Sequence, residues 1–483
     1  MMPHWLLALS PVLGIIAMAM SATHALPIFV AHIYDDGQEP RFVISMLLNF
    51  GAGAFLWLAT RRYKRELALR EGALLVVIVW TAGALFASVP LLLSLPELSF
   101  TDAYFEAVSG LTATGASVLS EIDRLPPSIN VWRAELQWLG GMGVIVLVVA
   151  ILPMLGVGGR QVSKAEIPGP MKEESLTPRI TQTAKGLWFI YAALTVACMV
   201  GYHLAGMDWL DAVIHGFTTI SLGGLSSHDA SLGQFDSPAI ELVAIVFMLL
   251  GALNFATHFL AWYRRSLSVY ARDPEAYWFA AVMTLSIAGI TLLLWWKGPF
   301  DDFWTALRYG AFYVVSIGTT TGYANADYEL WPVFVPLWVL FLGTFLSCSG
   351  STGGGIKMLR AIILYKQVYR ELKRLVHPNA AIPLKVGQHV VSNHVVFAVL
   401  AFFFIWTAVM VSATLLLAAT GSDAVNAFSV IVGCLNNIGA GLPGIDIEPL
   451  TDFQTWVCTF VMLLGRLELF VMLVVFTPAF WRK

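Results

Sequence analysis

Charged side chains are scarce in this chain: 12% of 483 residues, against about a quarter in soluble domains. Hydrophobic residues reach 58% and mean hydropathy is +0.74, which excludes an ordinary soluble domain. The apolar runs do not alternate with period two, which excludes a membrane β-barrel and leaves helices. Cysteine is almost absent. Cys198, Cys348, Cys434 and Cys458 are scattered, with no Cys-x-x-Cys or Cys/His spacing, and read as small packing residues instead of metal ligands or disulfides. No nucleophile with its base, and no carboxylate pair on facing helices, presents itself, so an intramembrane enzyme is disfavoured. The first apolar segment, residues 6–30, lacks a charged leader and a small-residue cleavage site and reads as a retained helix.

What the chain does have is long apolar runs near 5–30, 42–60, 72–96, 136–157, 186–206, 239–262, 276–296, 332–349, 393–419 and 452–480. The loops between them alternate in basic content: 61–71, 157–185, 263–275, 357–388 and the tail hold 22 of the 28 Lys and Arg. The positive-inside rule makes those loops, and both termini, cytoplasmic. By the same division 22 of the 31 acidic residues lie outside, where they would concentrate cations.

Four short polar stretches recur between these runs: Thr112-Ala113-Thr114-Gly115, Ser221-Leu222-Gly223-Gly224, Thr319-Thr320-Thr321-Gly322-Tyr323 and Asn437-Ile438-Gly439-Ala440-Gly441. Taking Gly115, Gly223, Gly322 and Gly439 as markers, they stand 108, 99 and 117 residues apart, the footprint of an internal repeat. A half-length apolar helix precedes each, at 103–111, 212–219, 304–316 and 424–435, too short to cross a bilayer. An acid stands at or near each start (Asp102, Asp211, Asp301 with Asp302, Asp423), suited to capping free N–H groups. Non-helical backbone at membrane depth is tolerated where it is buried or lines a watery cavity, so four such loops predict a pore.

The expected fold is therefore an all-α polytopic membrane protein, with four helix–pore loop–helix repeats around a pseudo-fourfold axis and two extra N-terminal helices. Residues 1–71 carry those two helices, and the repeats occupy 72–160, 186–265, 276–375 and 390–483. Rings of backbone carbonyls replace the hydration shell of an alkali cation, and glycine admits the backbone angles that such rings require. Thr319 to Tyr323 is most similar to the Thr-Val-Gly-Tyr-Gly filter of potassium channels. One shared glycine per loop predicts fewer ion sites than a symmetric channel has.

The stretches Phe105 to Gly115, Ser221 to Asp229, Thr319 to Tyr323 and Leu435 to Leu442 resemble a known family, the Trk/Ktr/HKT superfamily of potassium transporters, and within it the bacterial TrkH subunits. The resemblance spans nearly the whole chain. It implies potassium held by Thr112, Ala113, Thr114 and Gly115, by Ile220, Ser221, Leu222 and Gly223, by Thr319, Thr320, Thr321 and Gly322, and by Asn436, Asn437, Ile438 and Gly439. Gly115, Gly223, Gly322 and Gly439 would be the filter glycines. The potassium ion is then the transported ligand, and no organic cofactor is expected in this chain.

Residues 343–357, with Gly350, Ser351, Thr352, Gly353, Gly354, Gly355 and Lys357, interrupt the third repeat's inner helix. Such a run cannot sustain a helix against lipid, and it fails as a phosphate-binding loop, since no Ser or Thr follows the lysine. It reads as a movable barrier under the filter, with Lys357 at its cytoplasmic end, a reading the resemblance also implies. Only this repeat is expected to carry a broken inner helix. Arg466, inside the last apolar run, is costly there unless paired or hydrated. A structural pair with Glu468 is one reading; the resemblance implies an arginine facing the path near the barrier. The resemblance further implies a homodimer in the bacterial inner membrane, docked on a cytoplasmic TrkA-type ring of nucleotide-binding RCK domains. The seven basic residues of 357–388 also suit anionic lipid headgroups, and no nucleic-acid partner is expected. A proton- or sodium-coupled potassium symporter on the same scaffold is the alternative; it would need acidic or histidine relays, for which Glu468 and His258 are the main candidates.

Overall fold

The computed structural model describes residues 4–63, 69–146, 180–328, 331–439 and 449–482. The end of the first repeat, most of the basic loop 157–185, and Ala440 to Leu442 lie outside the described residues.

Two N-terminal helical segments, His4–Thr23 continuing as Ala25–Tyr34, and Glu39–Thr60, precede the repeats. Each repeat then runs outer helix, pore helix, inner helix. The outer helices are Leu69–Ser94, Ile180–Leu204, Pro274–Lys297 and Asn393–Ala419; the pore helices are Phe100–Leu111, Trp209–Ile220, Phe303–Gly318 and Ala424–Leu435. The inner helices begin at Pro127–Val146, Pro238–Ala252, Phe334–Phe345 and Asp452–Arg466.

Among the described residues six helices are long and apolar enough to cross a membrane, or eight if two bent pairs each count as one span. Those pairs correct the expectation that the third repeat alone is broken. The second inner helix turns by 96° between Pro238–Ala252 and Phe255–Arg264, and the fourth by 117° between Asp452–Arg466 and Leu469–Val475. Each break has an identifiable partner. Asn254 is an N-cap, its Oδ1 accepting the Ala256 N–H at 2.8 Å, which restarts the helix at Phe255. Glu468 takes a left-handed φ of 56° and its carboxylate accepts from Arg360 Nη2 at 2.5 Å. In the third repeat the inner helix stops at Phe345 and resumes as Met358–Val376, as the glycine-rich stretch predicts.

Two apolar clusters build the interior. One joins repeats two and three, from Tyr191 and Phe255 to Tyr313 and Val339; the other joins repeats one and four with the N-terminal helices, from Phe42 and Trp132 to Ile431 and Met462. The four cysteines are buried and unbridged. A short hairpin, Lys385–Val386 with His389–Val390, precedes the last repeat.

Candidate functional site

Each pore helix is capped at its N-terminus by a side chain. Asp302 and Asp423 cap the third and fourth, accepting from Thr305 N at 2.9 Å and Val425 N at 2.9 Å. The first two are capped by Ser99 and Asp208, with Asp102 and Asp211 in the first turn. Two of the four expected caps thus fall three residues earlier, while the acids still meet the positive helix end.

The C-terminal ends share one geometry. The capping residues are Thr112, Ser221, Thr319 and Asn436. The next residue is left-handed in every case: Ala113 (φ 49°), Leu222 (55°), Thr320 (66°) and Asn437 (53°). The residue after that donates its N–H five residues back, Thr114 to Ser109 at 2.9 Å, Gly223 to Thr218 at 2.9 Å, Thr321 to Ser316 at 2.8 Å and Ile438 to Gly433 at 2.9 Å. This is the Schellman pattern that ends helices, and it usually takes glycine at the left-handed position. Here none of the four is glycine.

The third residue past the cap is glycine with positive φ in all four loops: Gly115 (80°), Gly224 (72°), Gly322 (86°) and Gly439 (140°). The backbone register therefore pairs Gly224, which the expected set leaves out, with the other three markers. Gly223 is one place earlier, level with Thr114, Thr321 and Ile438, and Ile220 ends its helix, level with Leu111 and Leu435. The Gly-Gly pair hides this in the sequence; only counting from the helix end finds it.

The loops meet in cyclic order. A Cβ on Gly115 would strike the Gly223 carbonyl, one on Gly224 the Thr321 carbonyl, and one on Gly322 the Ile438 carbonyl. Asn437 Nδ2 donates to Thr114 Oγ1 at 2.8 Å and closes the ring from the fourth loop to the first. Side chains outside the expected ligand set brace it. Gln137 Nε2 donates to the Gly223 carbonyl at 2.8 Å, and Tyr323 shares its hydroxyl with Thr218 and Thr219 at 2.5 and 3.1 Å. Glu106 accepts from Val118 N at 2.7 Å and pairs with Arg133 Nε at 3.3 Å, both side chains buried.

Below the ring, residues 346–357 pack against the pore-helix ends. Thr352 Oγ1 donates to the Ile220 carbonyl at 2.9 Å, Ser347 Oγ to that of Thr319 at 3.4 Å, and Gly354 N to Thr320 Oγ1 at 3.0 Å. Gly354 also lies so close to the Asn436 carbonyl that a Cβ would overlap it. Three of the four loops are thus touched from beneath. Arg466 reaches the same stretch: Nη1 donates to the Thr352 carbonyl at 2.7 Å and Nη2 to that of Gly140 at 3.1 Å. Glu468 binds Arg360 instead, so no Arg466–Glu468 pair forms. The Lys357 ammonium turns back to the Gly353 carbonyl and is buried. Gly350 packs against Asn254, at the second-repeat break, leaving Gly350, Ser351 and Gly355 as loop backbone around the contact residues. His258, a relay candidate, is held by Tyr270 at 2.6 Å and the Leu250 carbonyl at 2.8 Å, a packing arrangement.

At the end of the ring away from residues 346–357, His228 joins the first two repeats: Nδ1 lies 2.6 Å from Asp123 Oδ1 and Nε2 3.2 Å from Asp211 Oδ2. The hydrogen bonds to Asp211 and then Asp123 push its pKa up to about 9, so it is cationic at neutral pH. The bond from His228 holds Asp123 below the usual carboxylate range. Arg308 links repeats two and three, binding Glu241 at 2.8 and 2.9 Å and Asp236 at 2.9 Å.

Residues 38–483 match the family model TrkH, described as a cation transport protein. The chain is 45% identical over 480 residues to the Trk system potassium uptake protein TrkH of Halomonas elongata, covering 98% of each chain. It is 43% identical over 480 residues to the Escherichia coli K12 protein of the same name, covering 99% of each. The crystal structure of the potassium transporter TrkH from Vibrio parahaemolyticus superposes with a TM-score of 0.91 at 42% identity, covering 100% of both chains. With four matched loops in a ring and this likeness over its full length, the chain belongs to the TrkH family of cation transport proteins, a transporter family and not one of enzymes.

Proposed function

We propose that this multi-pass membrane protein takes up potassium through the ring of four loops, with backbone carbonyls of Thr112 to Gly115, Ser221 to Gly224, Thr319 to Gly322 and Asn436 to Gly439 as ion ligands. One observation carries this reading: four loops with the same helix-end geometry touch in cyclic order, and one glycine-rich segment lies against three of them from below. The pore helices aim their partially negative ends at the loops, which favours a cation there. A stretch of small residues covers that ring at little steric cost, so 346–357 acts as the gate, with Arg466 holding it shut and adding a positive charge that repels resting cations. The names of the relatives support potassium as the ion. The protein would work as a homodimer in the bacterial inner membrane, termini inside, and a cytoplasmic TrkA-type nucleotide-binding ring would move the gate.

The test is cation flux into liposomes holding the purified protein, with and without an imposed proton gradient. Potassium flux that exceeds sodium flux and needs no gradient supports the reading. Strict dependence on the gradient would establish the symporter alternative, and equal sodium and potassium flux would remove the selective filter.

A further inference from the structure

Glu275 lies in the first turn of the third outer helix, Pro274–Lys297, and is 0% exposed. A carboxylate is expensive to bury unless its partners make up for lost water. The helix start does not require it, because Asp273 already caps that end: Asp273 Oδ1 accepts the Glu275 N–H at 3.0 Å and Oδ2 the Thr257 hydroxyl at 2.8 Å. Glu275 instead points its Oε2 at the intramembrane loop, where it accepts the Ser349 N–H at 2.7 Å. Its Oε1 has no hydrogen-bond partner among the described residues.

Ser349 belongs to the part of the loop that is anchored, not the part under the ring. The Cys348 N–H donates to the Ala252 carbonyl at 3.0 Å, and the Gly350 carbonyl accepts from Phe255 N at 3.1 Å, so both flanking residues are tied to the second-repeat break. Residues 348–350 tie the loop to the second repeat, while Ser347 and Thr352 to Gly354 reach the pore-helix ends. Glu275 holds the same stretch from the third repeat's own outer helix, through a hydrogen bond that is lost if the loop leaves this position.

We propose that Glu275 is a positioning residue that latches the intramembrane loop in its blocking place through the Ser349 N–H; this rests on the reading of 346–357 as the gate. Release of the loop lets water entering from the cytoplasmic side reach the Glu275 carboxyl group, so its unpartnered oxygen opposes the latch and keeps the seated position from being too stable to leave.

The experiment uses the full chain in liposomes and reads two quantities without any activating partner: potassium flux, and thiol labelling of Cys348 by a small methanethiosulfonate reagent, followed by peptide mass spectrometry. Buried Cys198, in the second outer helix, is the internal control for general loosening. A buried hydrogen bond biases an equilibrium by about three- to tenfold, so Glu275→Ala is expected to raise both flux and Cys348 labelling by about that factor, with Cys198 unchanged. Glu275→Gln, which keeps an acceptor oxygen, falls between Ala and the parent; it decides the matter if the alanine variant fails to fold. Parent-like Cys348 labelling in both variants, or Cys198 labelling that rises in step, would overturn the latch. Arg466→Ala separates the two readings. If it raises flux while the Glu275 variants keep both flux and Cys348 labelling at the parent level, the gate stands and the latch falls; if Cys348 becomes reactive in the Glu275 variants but flux stays flat in these and in Arg466→Ala, the latch stands and the gate falls.

Discussion

Gly224 and Gly223 are adjacent glycines with different neighbours, and exchanging each for alanine tests the ring. Gly224 has a φ of 72°, and a Cβ there would run into the carbonyl of Thr321 in the next loop. Gly223 does not take a left-handed φ, and its Cβ would meet the amide end of Gln137, a side chain. Gly224→Ala incurs about 1–2 kcal/mol for a left-handed L-residue, which alone lowers the intact-ring population by about 5–30-fold. The overlap with Thr321 adds to this, because a backbone carbonyl in a closed ring can yield only by leaving its own position. Gly223→Ala displaces Gln137 and its 2.8 Å bond to the Gly223 carbonyl, a loss of about 0.5–1.5 kcal/mol before repacking. Expected outcomes are potassium flux lowered at least about 30-fold by Gly224→Ala and several-fold by Gly223→Ala, with both proteins monodisperse in detergent. Rubidium-86 uptake into liposomes, normalised to inserted protein, measures both. Full activity and selectivity in Gly224→Ala, with loss in Gly223→Ala, would refute the register and restore the glycine chosen from sequence alone.

Arg466→Ala removes two charged hydrogen bonds, to Thr352 and Gly140, and is expected to raise unstimulated flux by at least about tenfold, while Arg466→Lys, which can keep one bond, leaks less. For His228 the folded pKa, about 9, lies above the unfolded value near 6.5. Its contribution to stability is therefore fully present below pH 6.5 and disappears as pH rises through 9, so the thermal unfolding midpoint should fall across that interval and His228→Gln should flatten the fall. Arg133→Ala leaves the buried Glu106 carboxylate unpaired and should cost about 3–5 kcal/mol, seen as a lower unfolding midpoint or lost expression; Arg133→Ala with Glu106→Gln should recover part of it.

The pore helices were legible because each carries a turn-capping acid, an apolar run and a glycine within about a dozen residues, all local signals. Observed and expected boundaries differ by three residues or fewer at each end. The loop register in the second repeat was not legible, since Gly223 and Gly224 satisfy the same pattern and the sign of φ is a property of the folded helix end. The breaks at Asn254 and Glu468 fall within continuous apolar runs. Asn254 carried a usable signal, a capping residue amid hydrocarbon; Glu468 needed its partner Arg360, 108 residues away, to explain it. Gln137 bracing Gly223 across 86 residues is likewise a product of tertiary packing, as is Glu275 at Ser349 across 74.

The four left-handed positions are not equivalent in energy, and this bears on where the intramembrane loop attaches. Asn tolerates the conformation best, and a β-branched residue tolerates it least. Thr320 is the β-branched one, and its hydroxyl is the acceptor of the Gly354 N–H. The loop therefore holds the repeat whose helix end is most strained, through the very residue that bears the strain. Ser347 binds the neighbouring Thr319 carbonyl, and Thr352 the last carbonyl of the second pore helix, so the seated loop occupies oxygens at the base of the ring. Any movement that withdraws it frees those oxygens and removes a partner from Thr320 in the same step. Local helix-end strain and the attachment of residues 346–357 are in this way one set of bonds, concentrated in the second and third repeats, and a ring with fourfold backbone geometry is left with an unequal energy around its circumference.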